Sequence, residues 1–270
     1  MPQSYTNKIE KYFEAIKIGF RSEIIYPFNF LSEGILVIIK VAIMTALYTA
    51  SYQALGVSEI NSFGVADIVW ISMIVESIRY SIFPIARPIS DSIRDGAFAY
   101  QVSKPYYLPL YILSTTFGQG IPFFLTNFAV GILACYLIVG AVNFTLFGLI
   151  CGLLLAFFGY LLDGVIFLII GMSAMWIEDS GPLWWIYNKA KFILGGAIIP
   201  IAILPGGLRE IAEFLPFSQV YYSAASMLVK FDFTTFLTYL GYQLIWITVF
   251  GLLALYLFRK GVRHVEANGG

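Results

Sequence analysis

The sequence predicts an all-α integral membrane protein with six transmembrane helices, and three observations carry that prediction. The 270 residues are 59% hydrophobic and 12% charged, with a mean hydropathy of +0.82, whereas a soluble domain carries about 25% charge. Apolar runs close to the ~20 residues that cross a bilayer occupy 30–52, 65–87, 112–140, 145–174, 190–208 and 235–258. Lys and Arg divide unevenly between the segments that join these runs, and that asymmetry orients a membrane protein.

Ahead of the first run, residues 4–26 place Ile9, Tyr12, Phe13, Ile16, Phe20 and Ile24 on one helical face and Lys, Glu and Arg on the other. Ser4 is a candidate cap, and Pro27 breaks the pattern. An interfacial amphipathic helix (1–27) that feeds the first span is expected. No cleavable signal peptide is expected, because these residues hold no continuous apolar core. The fourth run extends as far as 178 and would reach ~50 Å if fully helical. It is expected to tilt, project from the membrane, or bend near Gly159 and Gly164. Residues 205–233 are too apolar for a hydrated loop, and Pro205-Gly206-Gly207 and Pro216 cut them into short pieces. Short re-entrant helices between spans five and six are expected there.

Twelve of the sixteen Lys and Arg residues fall on one side: four near the N-terminus, then Arg87, Arg94, Lys104, Lys189, Lys191, Arg259, Lys260 and Arg263. Only Arg209 and Lys230 fall on the other side, while Lys40 and Arg79 lie within runs. The positive-inside rule then predicts a multi-pass chain with both termini cytoplasmic. No linker or repeat divides it, so residues 1–270 are read as one domain.

Between the second and third runs, Ile89, Ile93, Phe98 and Val102 recur at helical spacing with Ser, Asp and Arg between them. This is the pattern of a short cytoplasmic helix offering a charged face to a soluble partner. Ser90, Asp91, Ser92, Arg94 and Asp95 are the candidate contacts, with Gly96 ending or kinking the helix. An ordinary charged loop touching water and headgroups is the competing reading.

Catalytic readings find little footing. His264 is the only histidine and lies beyond the last run, which excludes Ser-His and Cys-His sites inside the membrane. No His, Cys or Asp cluster has metal-ligand spacing, Cys135 and Cys151 sit in apolar runs, and adjacent Glu178 and Asp179 read as a cap or a solvent-facing pair. The zero net charge argues against nucleic acid as a partner. Ionisable residues inside runs are costly and draw attention. These are Glu33 and Lys40 seven residues apart, Glu76 and Arg79 at i, i+3 spacing, and Asp163. Pairing or snorkelling in the service of assembly is one reading, and a substrate path is the other. Phe214, Phe217, Tyr221 and Tyr222 are candidates for lining an outward exit for an amphipathic substrate, whereas Trp184, Trp185 and Tyr187 read as an interfacial belt.

Three features in order give the chain a family resemblance: SIRDGAFAYQVSKP (92–105), GGAIIPIAILPGGLREIAEFLPFSQVYYSAASML (195–228) and the basic tail RKGVRHVEANGG (259–270). With the six-span arrangement, the chain resembles a permease of the type-2 ABC transporter family. The resemblance implies a place in the inner (plasma) membrane and a dimer with a second copy of itself or a related permease, served by cytoplasmic ABC ATPase subunits that bind the ATP and magnesium. No cofactor is expected in this chain, which holds no G-x-x-x-x-G-K-[ST] phosphate loop. An exporter of lipid-like, drug-like or other amphipathic substrates is the leading expectation. An ion-coupled secondary transporter using Asp163, Glu76 and Arg79 is the alternative, and a non-transporting membrane scaffold for an ATPase is a third.

Overall fold

A computed structural model describes residues 9–142, 144–177 and 179–269, with side chains of the last helix described as far as Arg263. Helix α1 (Glu10–Ile24) is followed by α2 (Pro27–Leu55), which begins with Pro27 in its first turn and ends at Gly56 with φ +65°. A two-residue hairpin, β1 (Glu59–Ile60) and β2 (Phe63–Gly64), turns through Asn61 and Ser62, both at positive φ. Next come α3 (Val65–Ser81), α4 (Ala86–Arg94), α5 (Ala97–Val102), α6 (Leu108–Ile138) and α7 (Leu146–Met172), the last capped by Thr145 Oγ1, which accepts from the Gly148 amide at 3.0 Å. Short α8 (Ala174–Ile177) leads to α9 (Gly181–Leu194), a 3-10 turn (Ile201–Ile203), α10 (Gly206–Phe214), α11 (Pro216–Val229) and α12 (Phe233–Gly269).

Among the described residues, five stretches are long and apolar enough to cross a membrane: Pro27–Leu55, Val65–Arg94, Leu108–Ile138, Leu146–Ile177 and Phe233–Arg263. The chain is therefore an all-α, multi-pass membrane protein. The helical span predicted at 190–208 is not among them. Instead, α9 starts nine residues earlier and stops at Leu194, and Gly195–Pro205 runs without α-helix to the hairpin end of the bundle. There the Asn61 amide donates to the carbonyls of Ala202 (2.9 Å) and Leu204 (3.0 Å). Side chains of other elements thus satisfy carbonyls that a helix would have bonded internally.

Helices α10 and α11 form a hairpin with its bend at Leu215. The Trp246 indole of α12 donates to the Phe214 carbonyl at 2.8 Å, while at the other end of α11 the Lys230 ammonium donates to Ser62 O of the turn at 2.5 Å. The 14 residues of α11 separate those two levels by ~20 Å. Every residue from Ser218 to Val229 is buried, making α11, together with α3, the centre of the bundle. Helix α7 runs unbroken through Gly159 and Gly164, so the expected bend there is not observed. A Cβ at Gly159 would lie 2.7 Å from the Val220 carbonyl, so this glycine admits α11 rather than bending α7.

The N-terminal helix also differs from expectation. Residues 1–8, with Ser4 and Lys8, lie outside the described residues, as does Glu178. From Glu10 on, α1 packs along the first half of α6 through Ala15 and Gly19, which the apolar stripe read from sequence did not include. A Cβ on Gly118 would sit 2.0 Å from the Ile16 carbonyl, and one on Gly19 would sit 1.9 Å from that of Thr115. Ile9, Phe13 and Ile24 of the stripe stay exposed. Lys11 and Tyr12 tie the start of α1 to Pro105 and Tyr107 at the start of α6, at 2.8 and 3.2 Å.

Candidate functional site

Two groups of residues carry the chemistry of this bundle. The first is the bent element that follows α3. Pro84 lies in the break at 82–85, and the chain resumes as α4 and then, after Gly96 at φ +74°, as α5. The single helix expected over 89–102 is thus two helices hinged at the glycine, a conformation that glycine adopts without steric cost. Ile89 and Phe98 are buried. Ile89 meets Gly171 of α7, and the Phe98 ring lies 6.5 Å from that of Phe258 of α12. Asp91, Arg94, Asp95 and Gly96 are exposed around the hinge. Ser92 is half-buried, its hydroxyl donating to the Ile89 carbonyl at 2.8 Å. Ser90 is 2% exposed and turned inward, which removes it from the charged face expected from sequence.

The second group is the buried charge cluster. The Lys40 ammonium of α2 donates to Glu76 of α3 and to the Ala197 carbonyl, the latter at 3.2 Å. Arg79 reaches the other Glu76 oxygen through Nε (2.7 Å) and Nη2 (2.5 Å). The i, i+3 pairing expected for Glu76 and Arg79 is therefore present, and Lys40, separated from its own-helix neighbour Glu33, completes it. Asp163 receives Lys191 Nζ on both oxygens at 2.8 and 2.9 Å, and the Tyr187 hydroxyl donates to Oδ1 at 2.5 Å. Asp163 and Lys191 are 0% and 3% exposed. Lys191, counted above among the cations of one side, is instead a partner inside the bundle. Glu33 stands apart, its buried Oε2 without a hydrogen-bond partner among the described residues.

This cluster pins the unwound passage. Lys40 holds the carbonyl of Ala197, three residues beyond the end of α9, where the backbone no longer bonds as a helix. Beside it lies a cavity of about 490 Å³ lined by Arg79, Lys189, Lys191, Trp184, Trp185 and Tyr221. Trp184 and Trp185 line this cavity, Trp185 remaining exposed, whereas Tyr187 is buried against Asp163 and takes no part in a belt.

The four aromatics proposed for an outward exit do not form one lining. The Phe214 ring packs 5.2 Å from that of Tyr242 and 5.5 Å from that of Trp246. Phe217 lies 6.0 Å from Tyr187. Tyr221 borders the cavity and lies under Lys191 (5.4 Å), and Tyr222 is buried against Tyr239. They face different sides because α10 and α11 meet at a sharp bend and residues 221 and 222 diverge around one helix.

Sequence reasoning missed Lys191 and Tyr187 as partners of Asp163, and it missed Asn188 and Lys189 as cavity walls. The available signal was the i, i+4 spacing of Tyr187 and Lys191, which marks one helix face. Nothing in the sequence pointed that face at α7.

A search of curated proteins returned no match to this chain. A family profile described as ABC-2 family transporter protein matches residues 36–269. That match takes in both the α4–α5 element and the buried charges from Lys40 onward, and by it the chain belongs to the ABC-2 transporter family.

Proposed function

We propose that this chain is the membrane-embedded permease of an ATP-driven exporter, moving a lipid-like or otherwise amphipathic substrate with ATP hydrolysed by a separate ABC ATPase subunit. The family is a transport membrane component, not a catalyst in itself, and it implies partnership with such a subunit. The observation that carries the reading is the α4–Gly96–α5 element. Its apolar residues Ile89 and Phe98 are anchored in the bundle, and its charges Asp91, Arg94 and Asp95 stand free at the tip. A force applied to that tip passes through α4 to α7 and, across the Pro84 break, to α3 with Glu76 and Arg79. A packed handle of this kind moves as a unit with the helices it touches. In this reading the α4 end is cytoplasmic, and Arg94 offers a planar donor fork to a carboxylate or to backbone carbonyls on the ATPase. The permease works as a pair with itself or a relative.

The test is affinity purification from native membranes in mild detergent, comparing wild type with Arg94→Glu plus Asp95→Lys. Copurification of an ATP-hydrolysing subunit with the wild type, and its loss with the double variant, is expected. A wild-type chain that brings down no ATPase would overturn the reading. Transport that stops on collapse of the proton gradient at constant ATP would turn the assignment toward an ion-coupled carrier.

A further inference from the structure

We propose that the cavity between α3, α7, α9 and α11 binds the phosphate headgroup of an anionic amphiphile. Three cations, Arg79, Lys189 and Lys191, line it together with Asn188, and no carboxylate is among the lining residues. The two carboxylates behind this wall are already engaged. Asp163 is held by Lys191 and Tyr187, and Glu76 by Arg79 and Lys40. In that cluster the three cations Lys40, Arg79 and Lys191 face Glu76, Asp163 and, within electrostatic reach of Arg79, Glu33, so the surplus positive charge at the wall is that of Lys189. Lys189 is exposed and has no ion-pair partner among the described residues, its ammonium stacking 5.6 Å from the Trp185 ring centroid. A cavity with excess positive charge and low-dielectric walls concentrates anions.

The remaining walls say which kind of anion. Trp184, Trp185, Phe192, Ile82, Pro84 and Phe167 supply apolar surface around the cations. The Trp184 indole N–H has no acceptor among the described residues, an unusual condition for a buried donor. Arg87 extends the cationic rim, its guanidinium 5.7 Å from the Trp184 ring centroid. Cations and N–H donors set beside aromatic and aliphatic walls match a phosphate ester carrying an apolar tail, where charge-assisted bonds fix the head and burial holds the first methylenes. The volume of about 490 Å³ falls within the range of small-molecule sites. A free nucleotide or sugar phosphate would leave the apolar walls unused, and a neutral lipid would leave the cations unanswered. Only the further step of calling this anion the transported cargo rests on the permease reading; the binding does not.

The test uses the purified full-length chain in neutral detergent, with thermal unfolding followed as ligand is titrated. The probes are phosphatidylglycerol, phosphatidylcholine, and glycerophosphoglycerol as the phosphatidylglycerol headgroup without its tails. Phosphatidylglycerol is expected to raise the melting temperature with saturation and phosphatidylcholine is not. Lys189→Gln should weaken the apparent affinity for phosphatidylglycerol about tenfold, Lys189→Arg should restore it, and Trp184→Phe should weaken it while keeping the ring. Equal stabilisation by both lipids, or unchanged affinity in Lys189→Gln, would overturn the site. Glycerophosphoglycerol acting as strongly as phosphatidylglycerol would overturn the lipid assignment in favour of a soluble phosphate ester. No ATPase takes part, so phosphatidylglycerol binding by a chain that recruits no ATPase would sink the transport reading alone.

Discussion

Breaking the Asp163–Lys191 pair is the sharpest perturbation this structure offers. Nζ lies 2.8 and 2.9 Å from the two carboxylate oxygens, and neither residue is more than 3% exposed. At 2.8 Å and an effective dielectric near 20, the gross attraction is about 6 kcal/mol. Much of it offsets the cost of taking both charges out of water, so the pair as a whole contributes little net stability. Removing one partner is different, because the survivor keeps its desolvation cost and loses its attraction. Asp163→Asn and Lys191→Met should each destabilise by about 3–5 kcal/mol, whereas Asp163→Leu with Lys191→Met should return to within about 1–2 kcal/mol of wild type. The assay is reversible unfolding of the purified chain in mixed micelles as sodium dodecyl sulfate is raised, followed by tryptophan fluorescence. A double variant that costs the sum of its singles would show that the charges are uncoupled. A single variant costing under about 1 kcal/mol would show that water reaches the site, and either result would refute the burial argument.

Three further outcomes are expected. Gly118→Val drives side-chain carbon against the Ile16 carbonyl, which a Cβ at 118 would approach to 2.0 Å. It should cost upward of about 2 kcal/mol and make α1 readily cleaved in limited proteolysis; intact protection would mean that α1 does not seat on α6. Gly96→Ala places a side chain at φ +74°, which costs about 1–2 kcal/mol. It should lower the yield of copurified ATPase while lowering the melting temperature of the isolated bundle by only a few degrees. Asp232 lies outside the spans and accepts from the Thr235 amide and hydroxyl, both at 2.7 Å, and these bonds hold its carboxyl below the usual aspartate value. A depressed folded-state value means that the cap is complete above the ordinary carboxylate range and is lost as pH falls through the lowered value, below about pH 4. Hydrogen exchange in the first turn of α12 should therefore accelerate there, and Asp232→Ala should abolish that pH dependence. A pH profile shared by the two forms would refute the capping role.

Much of the fold was legible because the signals for it are local. The apolar runs at 30–52 and 235–258 fall within one long helix each, those at 112–140 and 145–174 overlap one long helix to within two residues at either end, and Pro27, Pro205 and Pro216 stand at or beside helix starts, where a missing N–H does no harm. Pro205, Gly206, Gly207 and Pro216 also marked the two short helices between the fifth and last runs. The element at 86–102 was legible in part: its apolar spacing put Ile89, Ile93, Phe98 and Val102 on one side, of which Ile89 and Phe98 are buried, and Gly96, expected to end or kink one helix, separates two. Ser90 was misplaced because a nine-residue helix seated on α7 buries more than its apolar residues.

The pairing of the site was not legible. Lys40 meets Glu76 across 36 residues, and Lys191 meets Asp163 across 28. Local spacing yields only partners such as Arg79 for Glu76, on the same helix.

The sequence by itself determined that this protein lives in a membrane, that it is helical, and where most of its helices begin and end. Hydropathy, breakers and caps act over one or two turns, so they are written along the chain. Tertiary structure decided how the backbone is satisfied where the chain leaves α-helix after Leu194. Hydropathy runs on through Gly195–Pro205, but Gly195, Gly196 and Pro200 disfavour helix there, and Lys40 and Asn61 supply donors to the carbonyls of Ala197, Ala202 and Leu204 from elsewhere in the bundle. A backbone in an apolar setting leaves the helix only where other groups replace its lost hydrogen bonds, and those groups come from segments about 140 to 160 residues away in sequence.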